Sequence, residues 1–300
     1  MAGNPNTIIV LGSSPESYFI GHGRRHFVEN MSPSFTSHAK TELNISLTLW
    51  ISMSKSLDTW VDFNAGTDKF HFNGNINQYI RDHLAGTNGK AAASFVSFPD
   101  SSEPGHYFVS GKAHGAWNCV LPDYFIQELG RMQREVPDFD AAITGMLFGK
   151  GKTNICLFRG GFLADFDNDE ITSAEHPLYK VLVEFSEGGW CIERGSTLCM
   201  YDSRWYFLKF KRSGDGMLKM RWNIPLNMAA RLAELKAIAE RPEEQAALLK
   251  EDQMWLNVAQ RRMSGMTQAN NMLNNTMNHG GLSFHAAASG GTIVETRRYY

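Results

Sequence analysis

The feature that most constrains this chain is an internal repeat. Aligning Tyr18-Phe19-Ile20-Gly21 with Tyr107-Phe108-Val109-Ser110-Gly111 brings later positions into step as well. Six residues after each Gly comes an aromatic, Phe27 or Trp117, and four later an aliphatic, Met31 or Leu121. Trp60-Val61-Asp62-Phe63 with Gly66, Phe72 and Ile76 makes a further copy. Leu157-Phe158-Arg159-Gly160 with Phe166 makes another, and Leu198 to Asp202 with Leu208 a last, weaker one. The anchors fall at 21, 66, 111, 160 and 202, so the steps are 45, 45, 49 and 42 residues. Before the anchors lie apolar, strand-like runs: TIIVLGSSPES, LTLWISMSKSLD, SFVSFPDSSEPG, ITGMLFGKGK and VLVEFSEGG. Each unit therefore reads strand, turn, strand, loop, strand, and two units add a Pro-initiated helical turn, most clearly LPDYFIQEL.

One such unit is a small sheet that cannot bury both faces alone, and stacking each sheet on the next solves the problem. An all-strand period of about forty to fifty residues points to a propeller rather than a helical solenoid. The expected fold is mainly β: a β-propeller of about five repeats over residues 7–226. Composition agrees with that boundary, because residues 1–226 hold 31 of the 35 aromatics and 22 of the 27 glycines. Beyond Pro225 the spacing of Leu232, Leu235 and Ile238 predicts an amphipathic helix. Pro242-Glu243-Glu244 predicts a second helix start, with acids in its first turn. Residues 227–265 are therefore expected to form a helical extension, and residues 266–300 a flexible Asn/Met/Gly-rich tail.

The repeat resembles the tectonin/WG-like propeller repeats, whose units carry an aromatic strand, a Gly-containing turn and W-x-G-L-P-x-x-L. The segments that carry the resemblance are Tyr18–Phe35, Tyr107–Leu129 (with WNCVLPDYFIQEL) and Trp222–Leu232 (WNIPLNMAARL). The family's Trp is replaced by Phe27, Phe72 and Phe166. Phe139-Asp140-Ala141-Ala142 followed by Leu157-Phe158-Arg159-Gly160 also looks like a hemopexin repeat, whose domains have four blades. Both resemblances imply a binding or scaffolding propeller, and neither implies catalysis.

The formal net charge of −2 excludes the strongly basic footprint of a general nucleic-acid binder. No apolar run approaches the roughly eighteen residues of a membrane helix, so no membrane insertion is expected. MAGNPNTIIVLGSS lacks a basic n-region and a long h-region, and four Cys make no disulfide framework. The expected location is cytoplasmic.

Candidate site residues follow from the repeat. His22, Arg24, Arg25 and His26 form a basic knot after the first anchor. Equivalent loops carry Asp68, Lys69 and His71, then Lys112, His114 and Trp117, then Asp202 and Arg204. Around one rim, such groups converge on a sugar or an anionic partner. The expected partner is a glycan or a protein, with an oligomer through the C-terminal helices as a further possibility and no cofactor.

Asp165, Asp167 and Asp169 alternate like the start of a calcium loop, but Glu170 stands where Gly is needed and His176 where Glu is needed. A solvated turn is the better reading. GKGKT at 149–153 lacks the frame of a phosphate loop and reads as a hairpin turn. No metalloprotease, nucleophile-elbow or Cys-x-x-Cys pattern occurs. The leading expectation is a non-catalytic recognition or scaffold module, lectin-like or protein-binding. The competing one is a glycoside-hydrolase-type enzyme using paired carboxylates.

Overall fold

A computed structural model describes residues 5–85, 94–101, 106–111, 115–118, 121, 123–136, 138–151, 153–166, 175–251, 253, 254 and 257. The fold is mainly β, a series of small antiparallel sheets interspersed with helices. The first sheet holds β1 (Thr7–Leu11), β2 (Tyr18–His22) and β3 (Arg25–Glu29). The second holds β4 (Thr48–Met53), β5 (Trp60–Asn64) and β6 (Lys69–Phe72). The third holds β7 (Phe95–Ser97), β8 (Tyr107–Ser110) and β9 (Gly115–Asn118). The fourth holds β10 (Ile143–Phe148), β11 (Asn154–Phe158) and β12 (Gly161–Asp165). In the fifth, β13 (Trp190–Ile192) and β14 (Thr197–Leu198) share one edge of β15 (Tyr206–Arg212), and β16 (Leu218–Asn223) takes the other.

A helix follows every sheet. These are α1 (Pro33–Thr41), α2 (Gln78–Ala85), α3 (Asp123–Glu135, with the short α4 at Phe139–Ala142), α5 (Pro177–Glu184) and α6 (Leu226–Ala239). Pro33 and Pro177 open α1 and α5, where a missing N–H costs nothing, and Pro225 caps α6. The helical turn expected in two units is thus general.

Two expectations change. The run VLVEF is the end of α5, not a strand. Pro177 starts it, the His176 side chain accepts from Leu178 N–H, and Leu178, Val181 and Leu182 fall on one buried face. The fifth middle strand is Tyr206–Arg212 rather than the run ending at Asp202, which lies in the β14–β15 turn. The cause is a split first strand. Gly195 separates β13 from β14 at φ +85°, and a Cβ there would stand 2.5 Å from the Leu49 carbonyl oxygen.

Across sheets, β1 lies beside β4, β4 beside β7, β7 beside β10, β10 beside β14, and β14 beside β1. Each helix buries its stripe between two sheets. Phe35 and Ala39 of α1 join Val10 and Phe19 of the first sheet and Ile51 and Trp60 of the second. Phe125 and Leu129 of α3 join Phe108, Met146 and Phe158 between the third and fourth. Met228, Leu232 and Leu235 of α6 join Phe207 of the fifth sheet to Ile9, Leu11 and Ile20 of the first. α2 and α5 feed the largest cluster through Ile80, Leu84, Val181 and Leu182.

Residues 242–251 are helical. The expected 266–300 tail lies outside the described residues. Among those described, no helix is long and apolar enough to cross a membrane.

Candidate functional site

Three periodicities bring one polar cluster together. On α1, Phe35, His38 and Ala39 are the buried positions, so the helix carries His38 inward with its apolar stripe. On β5, Trp60 and Asp62 are two residues apart and share a face. Across the β5–β6 ladder Asp62 sits directly opposite His71, which places His71 on that face too.

The Asp62 carboxylate, with 0% side-chain exposure, lies between the two imidazoles. His38 Nε2 is 2.8 Å from Asp62 Oδ1, and His71 Nδ1 is 3.1 Å from Oδ2. The second contact is a hydrogen bond. The first, although shorter, lacks hydrogen-bond alignment and leaves both His38 Nε2 and Asp62 Oδ1 without a partner. Trp60 stacks on His38 with ring centroids 4.7 Å apart and donates from Nε1 to Ser34 Oγ at 3.1 Å. On the other side of the ring, His38 Nδ1 faces Glu42 Oε2 at 3.6 Å, one helical turn on. His71 is the solvent side of the cluster, and its hydrogen bond to Asp62 raises its pKa against the opposing effect of burial.

Asp62 is the third residue of its middle strand. The third residues of the other four are Ile20, Val109, Cys156 and Leu208, all as fully buried as Asp62. A carboxylate in that place costs several kcal/mol unless its oxygens are matched; His71 hydrogen-bonds Oδ2, while Oδ1 has only the misaligned contact with His38.

A second desolvated charge lies on β15, beside the residue that precedes β1. Lys209 Nζ donates to Asn6 Oδ1 at 3.2 Å, and burial lowers its pKa to about 8. Asn6 in turn donates to the carbonyls of Ile45 and Thr48 at 2.8 and 2.7 Å. Arg194, its pKa also lowered by burial, donates to the Ser94 carbonyl at 3.3 Å.

The chain has no match among protein-family models, curated proteins or solved structures. Geometry alone therefore carries the assignment of a site.

The residues expected at a common rim occupy the following places in their own units. His22 ends β2, buried, with Nδ1 2.9 Å from Thr7 Oγ1, and burial lowers its pKa to about 4. Arg24 and Arg25 both reach Glu244, Arg25 through Nε at 3.1 Å and Nη2 at 2.5 Å. The basic knot is thus matched within the chain by the helix expected from Pro242. His26 lies within β3, its ring 5.5 Å from that of Phe19. Asp68 holds the β5–β6 turn at φ +55°, and Lys69 opens β6. Asp202 and Arg204 pair with each other at 2.6 Å in the β14–β15 turn, the counterpart of the first hairpin turn of the other units. Trp117 lies in β9 opposite Phe108, while Lys112 and His114 fall outside the described residues. Asp165 ends β12, and Asp167 and Asp169 are outside the described residues.

Gly149–Thr153 forms the expected hairpin turn, closed by Gly149 N–H to the Thr153 carbonyl at 2.8 Å. Cys156, Cys191 and Cys199 are free and buried, and burial pushes the Cys199 thiol up to about 11. That removes them as nucleophiles at neutral pH.

Of the cluster, sequence reasoning reached only His71, and as a rim residue. The available signal was Asp62 itself, a charge inside the apolar strand WVDFN where the copies at Tyr18 and Tyr107 carry Ile20 and Val109.

Proposed function

We propose that the chain is a non-catalytic recognition or scaffold module whose five units close as a β-propeller of the tectonin type. The observation that carries this reading is a small cavity shared by β1, β4, β7, β10 and β14, where the proposed ring would have its axis. A cavity of about 40 Å³ lies there, lined by Val10 and Leu11, Ile51 to Met53, Phe95, Phe98, Leu147, Phe148 and Ser196 to Leu198. All five innermost strands contribute to it, as radial packing requires. The space holds a water or two and no sugar ring.

The glycoside-hydrolase alternative needs two carboxylates about 5–10 Å apart in one pocket, and the lining of this cavity contains none. Recognition then belongs to the outer surface. Exposed apolar groups there include Met217 just before β16, Leu218 and Trp222 on it, and Leu226 at the start of α6, the last 88% exposed. Lys236 Nζ stands 4.2 Å over the Trp222 ring, so β16 and α6 present cation and aromatic side by side, as interface anchors do.

A glycan array and affinity capture from cell extract test the reading, run beside a Leu218→Asp/Leu226→Asp variant of equal thermal stability. A bound glycan or protein that the variant fails to retain supports it. Folded wild-type protein that binds nothing in either format overturns it.

A further inference from the structure

We propose that His38, Asp62 and His71 form a binding site for a divalent first-row transition metal, with Zn²⁺ as the reference ion. The inference goes beyond the recognition reading and does not depend on it.

The decisive feature is the contact between His38 and Asp62. Nε2 and Oδ1 stand 2.8 Å apart, both buried and both without a hydrogen-bond partner, because the ring N–H direction misses the oxygen. A donor and an acceptor at that separation normally align, since the hydrogen bond weakens steeply as the angle closes. Two ligands of one ion do not align with each other. They both point at the ion, and at zinc bond lengths their atoms stand roughly 3.2–3.4 Å apart. The His71 Nδ1 to Asp62 Oδ2 separation of 3.1 Å is close to that spacing, whereas the His38 Nε2 to Oδ1 contact of 2.8 Å is shorter and would open by about half an ångström on binding; one ligand atom from each of the three residues lies within 4.8 Å of the others.

The donor set is two imidazoles and one carboxylate, which suits zinc and its first-row neighbours rather than calcium or magnesium. Charge points the same way. A dication offsets a carboxylate held at 0% exposure, and a net positive charge of one is left to face solvent on the His71 side. That side supplies the fourth coordination position for water.

An outer layer is also present. Glu42 Oε2 stands 3.6 Å from His38 Nδ1, beyond hydrogen-bond reach but on the ring edge opposite Nε2, and the Trp60 ring stacks on the imidazole with centroids 4.7 Å apart. His71 coordinates through the Nδ1 that now donates to Asp62, with its proton carried on the solvent-side Nε2. Because His38 belongs to the first unit and the other two ligands to the second, the ion would tie α1 to β5 and β6.

The test uses the full untagged chain, stripped with chelator and titrated with Zn²⁺ by calorimetry and with Co²⁺ by visible absorption. The expected result is one equivalent of Zn²⁺ with a raised melting temperature, and d–d bands of Co²⁺ typical of low coordination number. His71→Ala removes a partly exposed ligand and is expected to keep the fold, which circular dichroism checks. It should weaken Zn²⁺ binding at least about tenfold and abolish the Co²⁺ bands. Glu42→Gln should weaken binding less while leaving the stoichiometry at one. Failure of folded wild-type protein to bind either ion, or equal binding by His71→Ala, overturns the proposal.

Discussion

The first and second units meet through an apolar cluster that also holds a buried carboxylate between two histidines, whereas the third position of the middle strand is apolar in the other four units. At the third position of the middle strand, Ile20, Val109, Cys156 and Leu208 face the preceding unit with hydrocarbon or a thiol, and Asp62 faces it with a carboxylate. All five are fully buried, so the same backbone slot is filled in two chemically opposed ways. The apolar version needs only volume. The polar one needs His38 from a helix and His71 from a neighbouring strand, both correctly placed. Such an arrangement is weak evidence for stability, because a well-packed hydrophobic replacement performs as well or better.

The largest expected effect comes from moving the carboxylate to a place without the histidines. Leu208→Asp puts a charge into the apolar cluster with Leu157, Val181 and Leu198 and should cost more than about 4 kcal/mol, enough to unfold a marginal protein. Chemical denaturation measures it, and a cost below 2 kcal/mol would show that the slot tolerates charge by itself. Next comes His38→Ala, which strands a buried carboxylate with one partner and should cost about 3–5 kcal/mol in the same assay. Asp62→Leu combined with His38→Leu should recover most of that loss, ending within about 1 kcal/mol of the original protein or above it. If the double variant is as unstable as His38→Ala alone, the polar cluster is not interchangeable with the apolar version.

The smallest effect is a pH dependence that separates two histidines by sign. His22, buried against Thr7, has its pKa lowered to about 4. Between pH 6.5 and that value the unfolded chain takes up a proton that the native state refuses, so this stability is present above pH 6.5 and lost as pH falls. Its slope approaches about 1.4 kcal/mol per pH unit. His71 has its pKa raised by Asp62, so its contribution is complete below pH 6.5 and fades as pH rises through its own pKa. Denaturant midpoints from pH 4 to 8 should lose the acid limb in His22→Gln and the neutral limb in His71→Gln. Identical pH profiles for the two variants would contradict these assignments.

How far the sequence could be read follows the same division. The first three hairpins were legible because each pairs an apolar run with an aromatic-led strand across a turn, and Tyr18, Trp60 and Tyr107 open their middle strands as aligned, whereas the fourth middle strand opens at Asn154 and the aligned Leu157-Phe158 closes it. The fifth slipped because the split at Gly195 lengthens that unit's first strand and shifts its apparent period. VLVEF misled because a short apolar run reads alike as a buried strand and as the inner face of a short helix, and only Pro177 marks the difference. The polar cluster was opaque for another reason. His38 and His71 are 33 residues apart in the sequence, and only the β5–β6 register and the inward face of α1 bring both to Asp62.

The packing of α6 against the first sheet has a consequence for how the chain is made. Ile9, Leu11 and Ile20 gain their covering partners Met228, Leu232 and Leu235 only when residues some two hundred positions later have left the ribosome. At typical translation rates that is an interval of roughly 10–40 s during which a finished first sheet presents an unprotected greasy flank. Its neighbours on the other side form within the next few dozen residues, so the exposure is one-sided. A nascent chain paused anywhere before α6 is therefore the species on which chaperones would act, and the species most prone to aggregate.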